Sequence, residues 1–198
     1  MLNIGVLVSG GGTNLQALID AQTEGIIKSG KIVTVVSDRP GAYALERAEK
    51  AGIDNRLIDR KAYTDKADFD SALCDYMKKM GVDVVVLAGF LSILGERFLS
   101  EYSDKIINVH PSLVPSFCGD GFYGLKVHKA ALDYGVKVTG ATVHFVNEVT
   151  DGGRIILQKA VYIQPDDTPE SLQKRVMEEA EWNILPIAVE LVCSGEVK

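Results

Sequence analysis

The sequence predicts an α/β protein with a Rossmann-like, mostly parallel open sheet, helices on both faces and a C-terminal antiparallel hairpin. Three observations lead to this prediction. Continuous apolar runs, typical of buried strands, alternate with segments of helical apolar spacing in the first half of the chain. A glycine-rich turn joins the first such run to the first helical segment. Near the C-terminus, two long strand-like segments follow each other with only a turn between them.

The first half of the chain supplies the parallel part of the predicted sheet. Its strands are short apolar runs, the strongest of them at 83–88 and the weakest at 56–58, and they are predicted at residues 3–8, 31–37, 56–58, 83–88 and 105–109. The helices between them are predicted at residues 15–27, 42–51, 65–80 and 96–102. Such strict alternation of strands and helices favours a parallel sheet with helices on both faces.

The pattern changes after residue 109. A loop rich in Gly, Ser and Pro is predicted at 111–124, followed by a helix at 126–134. The strands at 136–146 and 154–163 form the hairpin, and a final helix starts at Thr168. We expect a single domain over residues 1–198, with a nucleotide- or phosphate-binding half at 1–110 and a half at 111–198 that carries the catalytic loop.

Composition narrows the classes of function. A chain of 198 residues with 46% hydrophobic residues can bury the core of one domain. A net charge of −6 argues against nucleic acid as the main partner, because duplex binding normally requires a basic face. The three cysteines contain no C-x-x-C pair, so neither a disulfide framework nor a zinc site is expected.

No targeting or membrane segment is expected from the sequence. The N-terminus has no basic region before its apolar run, and the longest apolar runs are only as long as strands. We therefore expect a cytoplasmic protein that binds no membrane and needs no metal.

The glycine-rich turn at residues 9–14, Ser-Gly-Gly-Gly-Thr-Asn, lies where open α/β sheets bind ligands. It lacks the Gly-Lys-Ser/Thr of a Walker loop. It is also a poor dinucleotide fingerprint, because Leu15 occupies the place of the third glycine, although Asp38 imitates the ribose-binding acid of that motif. Two interpretations stay open: the amides that begin the helix hold one phosphate, or the segment is a tight turn without a ligand.

The segment at 108–115, Asn-Val-His-Pro-Ser-Leu-Val-Pro, carries more information. Asn108 and His110 are two residues apart on a strand, so their side chains point to the same face. An amide beside an imidazole can stabilise an oxyanion and move a proton, which acyl transfer requires. The alternative for a single histidine is a hydrogen-bonded structural role.

This segment resembles the signature of the folate-dependent formyltransferases. The hairpin at 140–158 is similar to the aspartate loop of that family, and the glycine turn is similar to the phosphate loop of a member that formylates a ribonucleotide. The three motifs occur in the family's order over almost the whole chain. The resemblance implies the formyltransferase fold, two small-molecule substrates, and a folate site in the half at 111–198. The donor would be 10-formyltetrahydrofolate, the acceptor glycinamide ribonucleotide in purine biosynthesis, and the protein a monomer or a homodimer.

The resemblance also implies roles for individual residues. In the catalytic trio, Asn108 would donate to the developing oxyanion, protonated His110 would pass protons, and Asp151 would favour the charged imidazole. The residues implied to bind the acceptor are Gly12, Thr13, Asn14 and Glu181. The residues implied to bind the folate are Lys66, Leu91, Ser92, Ile93, Leu94 and Asn108.

The chain departs from the family pattern at three places. Arg154 stands where a proline is common, the loop at 116–124 is longer than in some members, and the final helix carries one extra residue between Val176 and Glu181. Outside the motifs, His128 and His144 are predicted to be structural residues.

Other functions compete with this prediction. The member that formylates a transfer RNA carries an additional C-terminal domain, and formyltetrahydrofolate hydrolase carries an N-terminal regulatory domain, so both fit the chain less well. A nucleotide-binding sensor would explain the glycine turn but not Asn108, His110 and Asp151. A nicotinamide-dependent dehydrogenase is disfavoured by Leu15.

Overall fold

The computed structural model describes residues 1–197 and confirms the predicted fold class. Seven strands form one mixed sheet in the order β3-β2-β1-β4-β5-β6-β7. The strands are β1 (Leu2–Val8), β2 (Gly30–Ser37), β3 (Asp54–Leu57), β4 (Val84–Leu87), β5 (Ile106–His110), β6 (Val138–Phe145) and β7 (Ile155–Tyr162). The first five are parallel, and β6 and β7 continue the sheet as an antiparallel hairpin.

Helices cover both faces of the sheet. They are α1 (Thr13–Thr23), α2 (Tyr43–Lys50), α3 (Lys66–Lys79), α4 (Glu96–Glu101), α5 (Leu125–Tyr134), α6 (Pro169–Val176) and α7 (Trp182–Ser194). The predicted first helix was too long, because Gly25 takes a left-handed backbone conformation that stops it shortly after Thr23. Of the helices in residues 1–197, none is both long and apolar enough to span a membrane.

The two central strands divide the core into two layers. On β1, Ile4, Val6 and Val8 pack into the layer under α1 and α7, whereas Leu7 points into the layer under α3 and α4. Strand β4 repeats the alternation, with Val84 and Val86 on one side. Both faces of these strands are buried, which is why their sequences read as continuous apolar runs.

The final helix differs from the prediction of one helix starting at Thr168. It consists of α6, a π-helical turn at Met177–Glu181, and α7. The π-helical turn coincides with the stretch where the sequence carries an extra residue. A π turn accommodates one extra residue within a continuous helix. Here the π turn ends at Glu181 and places that residue at the carboxyl edge of the sheet.

The strand order creates a crevice above β1 and β4. The chain leaves β1 toward β2 on one side, whereas β4 continues to β5 on the other side. The loops that follow β1 and β4 therefore diverge, and the crevice between them is the usual ligand site of an open α/β sheet.

Helix α2 holds the glycine turn in place. The N–H of Ala44 donates to the Gly10 carbonyl at 3.1 Å, and Nε of Arg47 donates to the Gly11 carbonyl at 2.8 Å. Gly12 has φ 72°, and a Cβ atom added there would lie 2.6 Å from the Cβ of Ala44. The turn thus needs glycine at residue 12 both for its backbone conformation and for the close approach of α2.

We expect Gly12→Ala to lower the free energy of unfolding by about 2–4 kcal/mol, because left-handed strain and a steric clash add. Gly41→Ala is the matched control, since Gly41 has φ 73° and nothing within 4 Å of the added Cβ. It should cost only the strain, about 1 kcal/mol. Urea unfolding of both variants measures the difference, and equal losses would show that contact with α2 does not constrain the turn.

Candidate active site

One cleft of about 850 Å³ lies at the carboxyl edge of the sheet. It gathers the glycine turn, the loop after β4, the end of β5, the loop before α5 and the turn of the hairpin. The sequence-predicted site residues that line it are Gly12, Thr13, Asn14, Leu91, Ser92, Ile93, Leu94, Asn108, His110, Asp151 and Glu181. Lys66, at the start of α3, is not among the described residues that line the cleft, so the structure does not bring it to the other predicted site residues.

Pairing of β5 with β6 brings the polar side chains together. Asn108 and His110 lie on the same face of β5, as the sequence predicts. The antiparallel register places Asn108 opposite His144 and His110 opposite Thr142. The turn between β6 and β7 places Asp151 beside these residues. Its carboxylate lies within 3.5 Å of Asn108, His110 and His144.

His110 is held between two acceptors. Its Nε2 lies 2.9 Å from the Phe117 carbonyl oxygen, so this nitrogen carries a proton and donates it. Its Nδ1 lies 3.4 Å from Oδ2 of Asp151. Burial lowers the pKa of His110, while the charge of Asp151 and the Phe117 carbonyl oppose that change. The resting imidazole is therefore neutral at neutral pH, with the Nδ1 lone pair free to take a proton.

Asp151 is the shared carboxylate of the cluster. Its side chain is only 9% exposed, and its backbone has φ 54°, a left-handed conformation in the turn. The Gly119 N–H donates to Oδ2 at 2.9 Å. Burial alone would raise the pKa of Asp151, but the neighbouring His144 ring and the hydrogen bond from the Gly119 N–H outweigh it and lower the pKa. Asp151 thus stays ionised and stabilises a proton taken up by His110.

His144 belongs to this cluster, which the sequence prediction missed. Its Nδ1 donates to the Phe145 carbonyl at 2.8 Å, so its Nε2 accepts from Asn108 Nδ2 at 3.2 Å. The predicted local bond is present, but the same ring also fixes the Asn108 amide and lies 3.5 Å from Asp151. The missing information is the β5–β6 register, which sequence patterns do not reveal. The other predicted structural histidine, His128, is fully buried in α5.

The loop before α5 completes the cluster through its backbone. Phe117 supplies the carbonyl for His110, and Gly119 supplies the amide for Asp151. Asp120 accepts from the Thr150 hydroxyl at 2.8 Å, which ties this loop to the hairpin turn. Backbone partners of this kind leave no signature in residue types, so the sequence predicted only a loop here.

The opposite end of the cleft carries an anion cradle beside a buried acid. The glycine turn opens into α1, whose first amides are free of side-chain caps. Asn14 Nδ2 donates to Oε2 of Glu181 at 2.7 Å. Glu181 is 6% exposed, and its burial raises its pKa to about 7, although the Asn14 bond opposes the change. The carboxyl therefore lies within the cleft beside the cradle, as a group that can accept hydrogen bonds from a ligand.

The loop after β4 forms the apolar wall of the cleft. Leu91 and Ile93 are 46% and 66% exposed, unusual values for large apolar side chains. Leu94 is buried against α3 and α4. An exposed apolar pair that lines a cleft suits a flat, partly aromatic ligand.

The fold, the cleft and the acyl-transfer geometry together define a group-transfer site, and comparison with known proteins identifies the class. The profile of the formyl transferase family matches residues 2–189. The chain belongs to the formyl transferase family.

Individual relatives give more detail than the family profile. The chain is 40% identical to the phosphoribosylglycinamide formyltransferase of Haemophilus influenzae, covering 100% of this chain and 90% of that protein. It is 45% identical to the human trifunctional purine biosynthetic protein adenosine-3 over 98% of its own length, but it spans only 19% of that relative. The crystal structure of glycinamide ribonucleotide transformylase 1 from Symbiobacterium toebii superposes with a TM-score of 0.93 at 45% identity, covering 98% of this chain and 89% of that one.

The buried Glu181 predicts a pH-dependent stability. Its folded pKa of about 7 lies above the ordinary glutamate pKa of 4.5, so its contribution to stability is complete at low pH and is lost as the pH rises through 7. Between about pH 5 and pH 8 the wild-type protein should lose roughly 2 kcal/mol relative to Glu181→Gln. Urea unfolding across this range measures the difference. Glu179→Gln, at an exposed site on the same π turn, should run parallel to wild type. If the free energies of unfolding of Glu181→Gln and wild type changed in parallel with pH, Glu181 would not be a buried acid with a raised pKa.

Proposed function

We propose that the protein transfers the formyl group of 10-formyltetrahydrofolate to the amine of N1-(5-phospho-D-ribosyl)glycinamide, a step of purine biosynthesis. The observation that carries the proposal is the cluster of Asn108, His110 and Asp151 in the same cleft as an anion cradle. The family supplies the reaction class. The identity of the acceptor is inferred from relatives that are named phosphoribosylglycinamide formyltransferase.

The acceptor fits the end of the cleft beside α1. Its phosphate would bind the amides of Gly12, Thr13 and Asn14, where the positive end of the helix dipole favours an anion. Its ribose hydroxyls would donate to Glu181, whose carboxyl group lies beside the cradle. The amine would then extend toward Asn108 and His110 along the cleft.

The folate fits the apolar wall of the cleft. Its flat ring would lie between the loop after β4 and the hairpin turn, against Leu91 and Ile93, with backbone groups of residues 91–94 at its polar edge. This arrangement directs the formyl group toward Asn108. Both halves of the chain serve both substrates in this proposal: the loop after β4 lies in residues 1–110, whereas Glu181 lies in residues 111–198.

The chemistry follows from the three side chains. The amine nitrogen attacks the formyl carbon, and charge develops on the formyl oxygen. The Asn108 amide donates a hydrogen bond to that oxygen in exchange for its long 3.5 Å contact with Asp151. Nδ1 of His110 takes a proton from the attacking nitrogen, and Asp151 stabilises the imidazolium. That proton then passes to the departing folate nitrogen as the tetrahedral intermediate collapses. No covalent bond to the protein is required.

The transfer assay tests the proposal directly. The purified protein would be mixed with 10-formyltetrahydrofolate, with and without the ribonucleotide, while deformylation is followed by absorbance. We expect turnover only when the ribonucleotide is present, because its amine is the nucleophile. Turnover without it would establish hydrolysis instead, and no turnover with either mixture would reject the proposed pair of substrates.

Substitutions in the trio test its roles. His110→Ala and Asp151→Asn should nearly abolish transfer, since one removes the proton acceptor and the other its counter-charge. Asn108→Ala should lower kcat by about 10²- to 10³-fold, as expected for the loss of one oxyanion donor. Asp133→Asn, at an exposed site on α5, is the control and should keep full activity. Near-normal turnover in either His110→Ala or Asp151→Asn would remove that residue from the mechanism.

A further inference from the structure

The segment at residues 89–95, here called the donor segment, has no regular secondary structure but is tied down by side chains from three other elements. The hydroxyl of Ser9, at the end of β1, accepts from the Leu91 N–H at 2.8 Å. Asp70 of α3 accepts from the N–H groups of Gly95 and Phe98 at 2.7 and 2.9 Å. Between these points, the hydroxyl of Ser92 donates to Oδ2 of Asp38 at 2.5 Å.

The Asp38–Ser92 contact depends on a single donor, whereas Asp70, also a buried carboxylate, accepts from two N–H groups. Asp38 follows β2 and is only 1% exposed. Its Oδ1 atom is buried and has no hydrogen-bond partner among the described residues. The Ser92 hydroxyl is thus the one side-chain donor to a buried carboxylate, and such charge-assisted bonds are short and strong. Displacement of Ser92 would leave the carboxylate without a partner, which is costly in a buried site.

The carboxylate is not needed to hold the end of β2. The backbone of Asp38 already does so, because its N–H donates to the Val8 carbonyl and its carbonyl accepts from the Arg60 N–H. The Asp38 side chain is therefore available to hold the donor segment, through its hydrogen bond from Ser92. Since the bond also occupies the Ser92 hydroxyl, Ser92 presents its backbone rather than its side chain to a ligand.

We propose that Asp38 is a positioning residue for the formyl donor, which holds the donor segment through Ser92. This inference rests on the proposed function and assigns a residue outside the cleft lining to binding of one of its two substrates. Among the described residues the Asp38 side chain makes no hydrogen bond to the glycine turn, which is held by α2. Loss of the Asp38–Ser92 bond should therefore weaken binding of the donor alone.

The kinetic test compares Asp38→Ala and Ser92→Ala with wild type. Each variant should raise KM for 10-formyltetrahydrofolate roughly tenfold, as expected for loss of one hydrogen bond to a charged group. KM for the ribonucleotide should stay within about twofold. Asp38→Asn keeps an acceptor oxygen and should restore most of the donor affinity. Asp59→Ala is the matched control, because that carboxylate caps the turn after β3 and has no contact with the donor segment.

The double variant Asp38→Ala/Ser92→Ala should be no worse than either single variant, because both remove the same bond. Additive losses, an equal rise of KM for both substrates, or an unchanged KM for the donor would each overturn the proposal. If Asp38→Ala does not fold, Ser92→Ala tests the same bond, because it removes the hydroxyl that donates to Asp38.

Hydrogen exchange separates this proposal from the proposed function. Peptides that cover residues 89–95 should exchange faster in Asp38→Ala and Ser92→Ala than in wild type, with β1 and β4 unchanged. If wild type transfers no formyl group but residues 89–95 exchange faster in both variants, the proposed reaction is rejected. The role of the Asp38–Ser92 bond in holding the donor segment is then still supported. If transfer is normal and exchange in the segment is unchanged, the positioning role is rejected.

Discussion

The site depends on one ionised carboxylate whose side chain is only 9% exposed. Asp151 would be costly to bury alone, and the amides of Gly119 and Asn108 offset part of that cost as donors, while the rings of His110 and His144 lie within 3.5 Å of it. Each comes from a different point of the chain. The loop before α5, strand β5 and strand β6 must therefore all be in register before the carboxylate is satisfied, so the same contacts hold the hairpin turn and prepare the chemistry.

The charge of Asp151 determines how His110 can work. Burial favours the neutral imidazole, and the Phe117 carbonyl selects the tautomer with hydrogen on Nε2. Nδ1 is then an acceptor that faces a carboxylate, an arrangement that becomes favourable once a proton arrives. His110 is prepared to gain a proton during the reaction, and Asp151 stabilises it when it does.

The two ends of the cleft are built by different physical means. The end beside α1 uses free amides and a buried carboxyl group, Glu181, which a π-helical turn brings to the sheet edge. The end after β4 uses exposed apolar side chains on an irregular segment whose position depends on polar contacts from three other elements. The strand order places the loops after β1 and β4 side by side and next to the cluster at the ends of β5 and β6.

The sequence by itself determined the elements and most of the candidate site. Apolar runs identified the strands because their burial on both faces requires such residues, and the motifs at 9–14, 108–115 and 140–158 identified the loops that now line one cleft. Local spacing was enough to place Asn108 and His110 on one face, because alternation along a strand is a local property.

Only the tertiary structure decided the partners of these residues. His144 joined the cluster through the β5–β6 register, Phe117 and Gly119 through backbone groups, and Asp38 through a contact across 54 positions of the chain. Lys66, which the family pattern suggested, is not among the described residues that line the cleft, so its role in binding stays a prediction. Long-range pairing, backbone hydrogen bonds and the burial of charge are properties of the folded chain, so no pattern of residue types along the sequence could report them.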